Sequence, residues 1–101
     1  MNIHIALYKW KPSASPEDIN RAMRGISSLS DQVPGIVEIA TGMNTSRYGE
    51  GYTHVILVRG KDQAAIEKYR RHPDHSIAAA QIEAIEQHGI GVDFETQKEA
   101  S

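Results

Sequence analysis

Within the stretch Tyr69-Arg70-Arg71-His72-Pro73-Asp74-His75 the chain gathers a phenol and two imidazoles around a proline. A neutral imidazole titrates near neutrality, so it is the side chain best suited to move a proton at cellular pH. A phenol within reach of the same substrate can hydrogen-bond a carbonyl oxygen as negative charge builds on it. His75 as general base and Tyr69 as oxyanion partner therefore form a candidate enolising pair. That chemistry needs neither a metal nor a nucleophile when the substrate carbon is acidic, as a methylene between two carbonyls is. The expected ligand is thus a small carbonyl-containing compound, with no cofactor. The competing reading is structural: Tyr69 lies three residues from Ile66 on an apolar stripe, where a tyrosine packs its ring and finds a partner for its hydroxyl.

The elements around this stretch must bend to aim it. Proline lacks an amide hydrogen and drives the preceding residue out of the helical region, so His72 should end one helix and the next should begin at about Asp74. His72 is then either a ligand contact or simply a helix terminator. His72-x-x-His75 with Asp74 between has the residue types of a metal site. The bend separates the pair, cysteine is absent, and zinc needs three or four ligands, so no metal site is expected.

Residues Ile3, Ile5 and Leu7 alternate with His4, Ala6 and Tyr8, the period of a strand with apolar groups on both faces. Ser15-Pro16-Glu17-Asp18 reads as a helix start, followed by Ile19, Ala22, Met23, Ile26 and Leu29 at helical spacing. A second strand is expected from about Ile36 to Met43, with a bulge at Gly42, and a third from Tyr52 to Arg59, the two forming a hairpin. Asp62 can cap a helix carrying Ile66 and Tyr69. After Pro73 a further helix carries Ile77, Ala78, Ile82 and Ile85, with His88 in its last turn and Gly89 as its stop. Gly91 to Phe94 then form the last strand. The domain should span residues 1–95, and Thr96 to Ser101 should be a polar, frayed tail.

The order β-α-β-β-α-β folds most simply as a ferredoxin-like α+β unit, a four-stranded antiparallel sheet with its helices on one face. The first and third strands are then central neighbours. His4 shares a face with Ala6 and Tyr8, and His54 shares one with Tyr52, Ile56 and Val58, so His4, His54 and Tyr52 are expected to line a pocket beneath the bend. The other sheet face is also apolar, and a second copy is the simplest cover for it. A homodimer packed through that open face follows.

With 101 residues, no cysteine and a formal charge of −2, the chain has neither a disulfide framework nor a field that would hold it on nucleic acid or anionic lipid. No apolar run approaches a membrane span, and a soluble, cytoplasmic protein is expected. Lys68, Arg70 and Arg71 read as a solvated helix face. RNA-recognition motifs share this order of elements, but Glu50 replaces the basic start of their third-strand signature and Leu57 its last stacking ring.

Several segments together resemble the stress-responsive dimeric α/β-barrel, or Dabb, domain family. They are His4, Val33-Pro34-Gly35-Ile36, Gly42-Met43-Asn44, Gly51-Tyr52-Thr53-His54-Val55, Tyr69-x-x-His72-Pro73-x-His75 and Val92-Asp93-Phe94-Glu95. The resemblance implies a ferredoxin-like homodimer whose sheets form a dimeric α/β barrel. Many members have no assigned activity and some are stress-induced, stable assemblies. A plant polyketide cyclase of the family closes a linear chain by aldol condensation without a cofactor, and its strand and bend are similar to those here. By that resemblance His75 is the base, Tyr69 holds the carbonyl or enolate oxygen, and His4 and His54 line the pocket. Arg70, Arg71 and Asp74 depart from it, so the polyketide substrate does not carry over. Magnesium, described near the junction in some relatives, could here meet only the backbone carbonyls of Val33, Ile36 and Ile39.

Overall fold

The computed structural model describes residues 1–97. Its strands are β1 (Asn2–Trp10), β2 (Ile36–Met43), β3 (His54–Gly60) and β4 (Glu86–Glu95); its helices are α1 (Pro16–Ser27), α2 (Gln63–Arg71) and α3 (Pro73–Ile85), with a short 3-10 turn at Ser28–Asp31. The sheet order is β2-β3-β1-β4, and every neighbouring pair is antiparallel. This is the expected ferredoxin-like sheet, with β1 and β3 at its centre.

The expected barrel is not formed. β2 and β4 each pair with one neighbour only, so the sheet is open, with two free edges. Four strands lack the number, tilt and stagger that closing a sheet on itself requires; small closed barrels need about eight.

The helix starts follow their capping residues. The Ser15 hydroxyl accepts the Asp18 amide at 3.1 Å with Pro16 opening α1, and the Asp62 carboxylate accepts the Ala65 amide at 2.9 Å at the head of α2. His72 takes ψ 136°, the extended conformation a following proline enforces, and so separates α2 from α3. Pro34-Gly35 turns the chain into β2. Gly35 has φ +89°, and a β-carbon there would stand 2.8 Å from that of Ala65, so both backbone conformation and space call for glycine.

Alternation along the strands divides the residues between two faces. Ala6, Ile56 and Val58 point to the helices and pack with Ala22, Met23, Ile26, Leu29, Ile66, Tyr69, Ala78 and Ile82 in one core. The opposite face carries Ile5, Leu7, Val55 and Leu57 beside Ile90, Val92 and Phe94, the last three being 38%, 44% and 47% exposed. It is a broad apolar surface, and among the described residues no helix lies upon it. Among the described residues no helix is long and apolar enough to cross a membrane.

Some boundaries differ from the sequence reading. α3 stops at Ile85 and passes directly into β4, so His88 belongs to a strand and pairs with Lys9 rather than closing a helix. β1 runs on to Trp10, and its main-chain groups recruit Glu86 to Gly89 as partners despite the polar composition of that segment. β3 begins at His54 instead of Tyr52. The irregularity in β2 lies between Ile36 and Glu38, while Gly42 pairs regularly with Val55. Ile77 is 59% exposed, off the buried side of α3 held by Ala78 and Ile82. The Thr96 amide and hydroxyl both bond the Met1 carbonyl, and residues 98–101 of the expected tail lie outside the described residues.

Candidate functional site

A cavity of about 290 Å³ lies between the helix-facing side of the sheet and the helices, lined by residues that include His4, Tyr8, Tyr69, His75, Glu83 and Glu86. α2 brings Tyr69 from one side of the His72-Pro73 bend and α3 brings His75 from the other. Their rings meet edge to face, with centroids 4.7 Å apart. His4 approaches from β1, its ring 6.3 Å from that of Tyr69.

Tyr69 is 1% exposed, so its ring is core, yet no hydrogen bond reaches its hydroxyl among the described residues. Among those residues there is also no enclosed side-chain polar atom without a partner. The hydroxyl therefore touches open space, which is that of the cavity it lines. Burial first, then the neighbouring Tyr8, pushes the Tyr69 pKa far above its ordinary 10.0, with Arg70 opposing weakly. The phenol stays protonated and keeps its proton to donate. His75 shifts the other way: burial first, then His4 and Arg70, lowers its pKa below 6.5, so the ring is neutral at neutral pH. A permanently protonated donor and a neutral acceptor thus share one wall.

His4 is oriented from behind. Its Nδ1 lies 2.6 Å from Asp93 Oδ1, and Arg70 donates to Asp93 Oδ2 at 2.6 Å. Burial raises the Asp93 pKa, but the bonds from Arg70 and His4 outweigh it and hold the carboxyl below 3.8. A charged carboxylate can only accept, so His4 carries a proton on Nδ1 and turns Nε2 away from Asp93. The Arg70 Nη2 contact to His4 Nδ1 at 3.2 Å then joins two donors and is held by their common acceptor.

The other expected site residues stand elsewhere. His54 faces the helices but pairs with Tyr8, whereas His4 pairs with Val58. Four residues of strand, about 13 Å, separate the two positions. His54 Nδ1 instead accepts from Trp10 Nε1 at 2.8 Å, and burial lowers its pKa. Tyr52 precedes β3, so strand alternation does not reach it; its hydroxyl meets His88 Nδ1 at 2.7 Å and its ring lies under Lys9, on the open-face side. His72 Nδ1 accepts the Asp74 amide at 3.1 Å and caps α3. Replacing His72 with alanine should cost about 1 kcal/mol of stability, as loss of a cap does, and leave ligand affinity in the cavity unchanged. A thermal melt beside a binding titration checks both halves.

Arg70, Asp93, Tyr8, Glu83 and Glu86 belong to the neighbourhood of the cavity and were not singled out from sequence. Asp93 was legible in principle, since β4 at the sheet edge must pair with β1 and places position 93 opposite His4. At the other end of the sheet, the Val33 carbonyl accepts the Ile36 amide at 3.2 Å and Ile39 pairs with Val58. The Val33 carbonyl is thus engaged in the turn that leads into β2.

Known proteins carry the same architecture. The stress-response A/B barrel domain-containing protein HS1 of Arabidopsis thaliana is 27% identical over 74 residues, 71% of this chain and 68% of that protein. A dimeric ferredoxin-like protein of unknown function from Jannaschia superposes with a TM-score of 0.86 at 25% identity, covering 94% of this chain and 98% of that one. Hydroxynitrile lyase from Passiflora edulis superposes with a TM-score of 0.85 at 14% identity, over 99% and 96% of the two chains. The description of the stress-responsive A/B barrel domain matches residues 3–96, and the chain belongs to that family, Dabb.

Proposed function

We propose that the cavity binds a small carbonyl compound and enolises it without a cofactor. The observation that carries this reading is the Tyr69 hydroxyl, unpartnered on a side chain otherwise wholly buried, beside the neutral ring of His75. His75 takes a proton from a carbon between two carbonyl groups. The C–H bond breaks, its electron pair enters the carbon–carbon bond of the enolate, and the charge settles on oxygen. Tyr69 donates a hydrogen bond to that oxygen as the charge grows. The proton on His75 can return to carbon, which exchanges or isomerises the substrate, or the enolate carbon can attack a second carbonyl and close a ring, as in a polyketide-cyclase-like reaction, the attacked C=O π bond becoming an alkoxide that takes the proton from His75. His4, with Nε2 turned away from Asp93, can hydrogen-bond a second substrate group. A hydroxynitrile lyase of the same fold supports the idea that this framework can carry an active site.

The assembly we infer is a homodimer through the open sheet face. Ile90, Val92 and Phe94 are too exposed for a surface at rest in water, and a self-complementary apolar patch is best covered by its own copy. The Jannaschia protein, described as dimeric, supports this.

A second reading rests on the core packing of the Tyr69 ring: the protein is a non-catalytic, stress-protective or ligand-binding homodimer in which these side chains organise the interior. Incubation of β-keto compounds in deuterated solvent separates the two. The enzyme reading expects at least one compound to exchange its acidic protons faster with protein than without. If none does across the series, the binding reading replaces it.

A further inference from the structure

We propose that the cavity selects a carbonyl compound carrying a positive charge remote from the carbonyl, with the cation held by Glu83 and Glu86. This rests on the placement of the carbonyl at Tyr69 and His75.

The cavity has two chemically different ends. His75, Ala79, Ile82, Glu83 and Glu86 all line it. They recur along α3 and its C-terminal boundary at helical spacing, a single stripe turned toward the same space. Glu83 lies eight residues beyond His75, roughly 12 Å along the axis. Between the two ends the wall is apolar, formed by Ala6, Ile26, Ile56, Ala79 and Ile82. Such a passage suits a short hydrocarbon spacer.

The charged groups at this end are both carboxylates. Neither Glu83 nor Glu86 takes part in an ion pair among the described residues, and no lysine or arginine lines the cavity. Arg70 is spent on Asp93 and Glu67, and the Lys11 ammonium donates to the Ala84 carbonyl at 3.2 Å. A β-carbon at Gly89 would come within 2.9 Å of Glu86 Oε2 and 3.1 Å of the Tyr8 ring, so the carboxylate and that ring both lie close to the β4 backbone at Gly89. Two unpaired carboxylates at one end raise the local concentration of cations and repel a carboxylate-bearing substrate. The Tyr69 hydroxyl at the other end, unpartnered among the described residues and open to the cavity, is the independent sign that a ligand enters.

Three methyl butyl ketones, differing only in a trimethylammonium, methoxy or carboxylate group at the end remote from the carbonyl, test the idea by NMR titration of the whole chain at low ionic strength. The ammonium ketone should bind about tenfold more tightly than the methoxy ketone, and the carboxylate ketone more weakly still. In the Glu83→Gln/Glu86→Gln double variant the ammonium and methoxy ketones should bind within about twofold of each other. Equal or tighter binding of the carboxylate ketone to wild type overturns the charge proposal while leaving the carbonyl site standing. An ammonium preference that survives in the double variant also overturns it. If no ketone binds and Tyr69 and His75 resonances do not move, the carbonyl site itself fails and this proposal with it.

Discussion

His75→Ala is expected to slow proton exchange of a responsive β-diketone by roughly 10²–10⁴-fold, and Tyr69→Phe by about 10²–10³-fold, the usual costs of losing a general base and an oxyanion donor. The two changes should differ in what they leave intact. Tyr69→Phe removes a hydroxyl that no group among the described residues bonds, so stability should stay within about 0.5 kcal/mol of wild type. A hydroxyl serving the core would instead leave its partner unsatisfied and cost about 1–3 kcal/mol. A rate loss without a stability loss marks a ligand role; a parallel loss of both marks packing.

The pH profile carries a sign of its own. His75 acts as a base only when neutral, and burial holds its pKa below 6.5. Exchange should therefore stay level as pH falls from neutrality through 6.5 and drop only below that, through the depressed value in the folded chain. The same shift affects stability: the unfolded chain takes up the proton first, so the stability that a neutral His75 supplies is complete above 6.5 and declines as pH falls toward the folded pKa. An exchange rate that starts to fall above 6.5 would point to a base in a more solvated setting. Tyr69, pushed upward, stays a donor across this range and contributes no alkaline limb.

Val92→Asp is the second change with a large expected effect. Val92 stands on the open face opposite Ile5, flanked by Ile90 and Phe94. In an isolated subunit it is 44% exposed, and a surface substitution there should matter by no more than about 0.5 kcal/mol. Across a dimer axis the same carboxylate is buried without a partner, at a cost of about 3–5 kcal/mol per uncompensated charge. Light scattering at micromolar concentration should show a dimer for wild type and a monomer for Val92→Asp. A monomeric wild type would remove the dimer from the account, and a variant that stays dimeric would move the interface to another surface.

What the sequence revealed follows from how local each constraint is. The His72-Pro73 break, the Ser15 and Asp62 caps and the buried pair Ile66 and Tyr69 depend on residues a few positions apart, and all are present in the structure. Strand parity correctly gave His4 and His54 a common face. It could not give their distance along the sheet, which depends on register: His4 pairs with Val58 and His54 with Tyr8, so only His4 reaches the bend. For Tyr52 the alternation was extended past the true start of β3.

The remaining misreadings have the same origin in long-range pairing. Glu86 to Gly89 hold no strand pattern of their own and become β4 because β1 continues to Trp10 beside them. Arg70 read as part of a solvated basic face, but Asp93 arrives from the sheet edge and draws its guanidinium inward behind His4. The barrel was expected from family resemblance, and the open order β2-β3-β1-β4 corrects it. Glu83 and Glu86 look like ordinary polar helix residues until the cavity is seen to extend along α3.

The most direct test of the central claim is a crystal structure with a small β-diketone bound. The account predicts one carbonyl oxygen at roughly 2.6–3.0 Å from the Tyr69 hydroxyl and the acidic carbon turned to a His75 ring nitrogen. A diketone bound outside the cavity, or a cavity holding water while Tyr69 and His75 turn to protein partners, would contradict it.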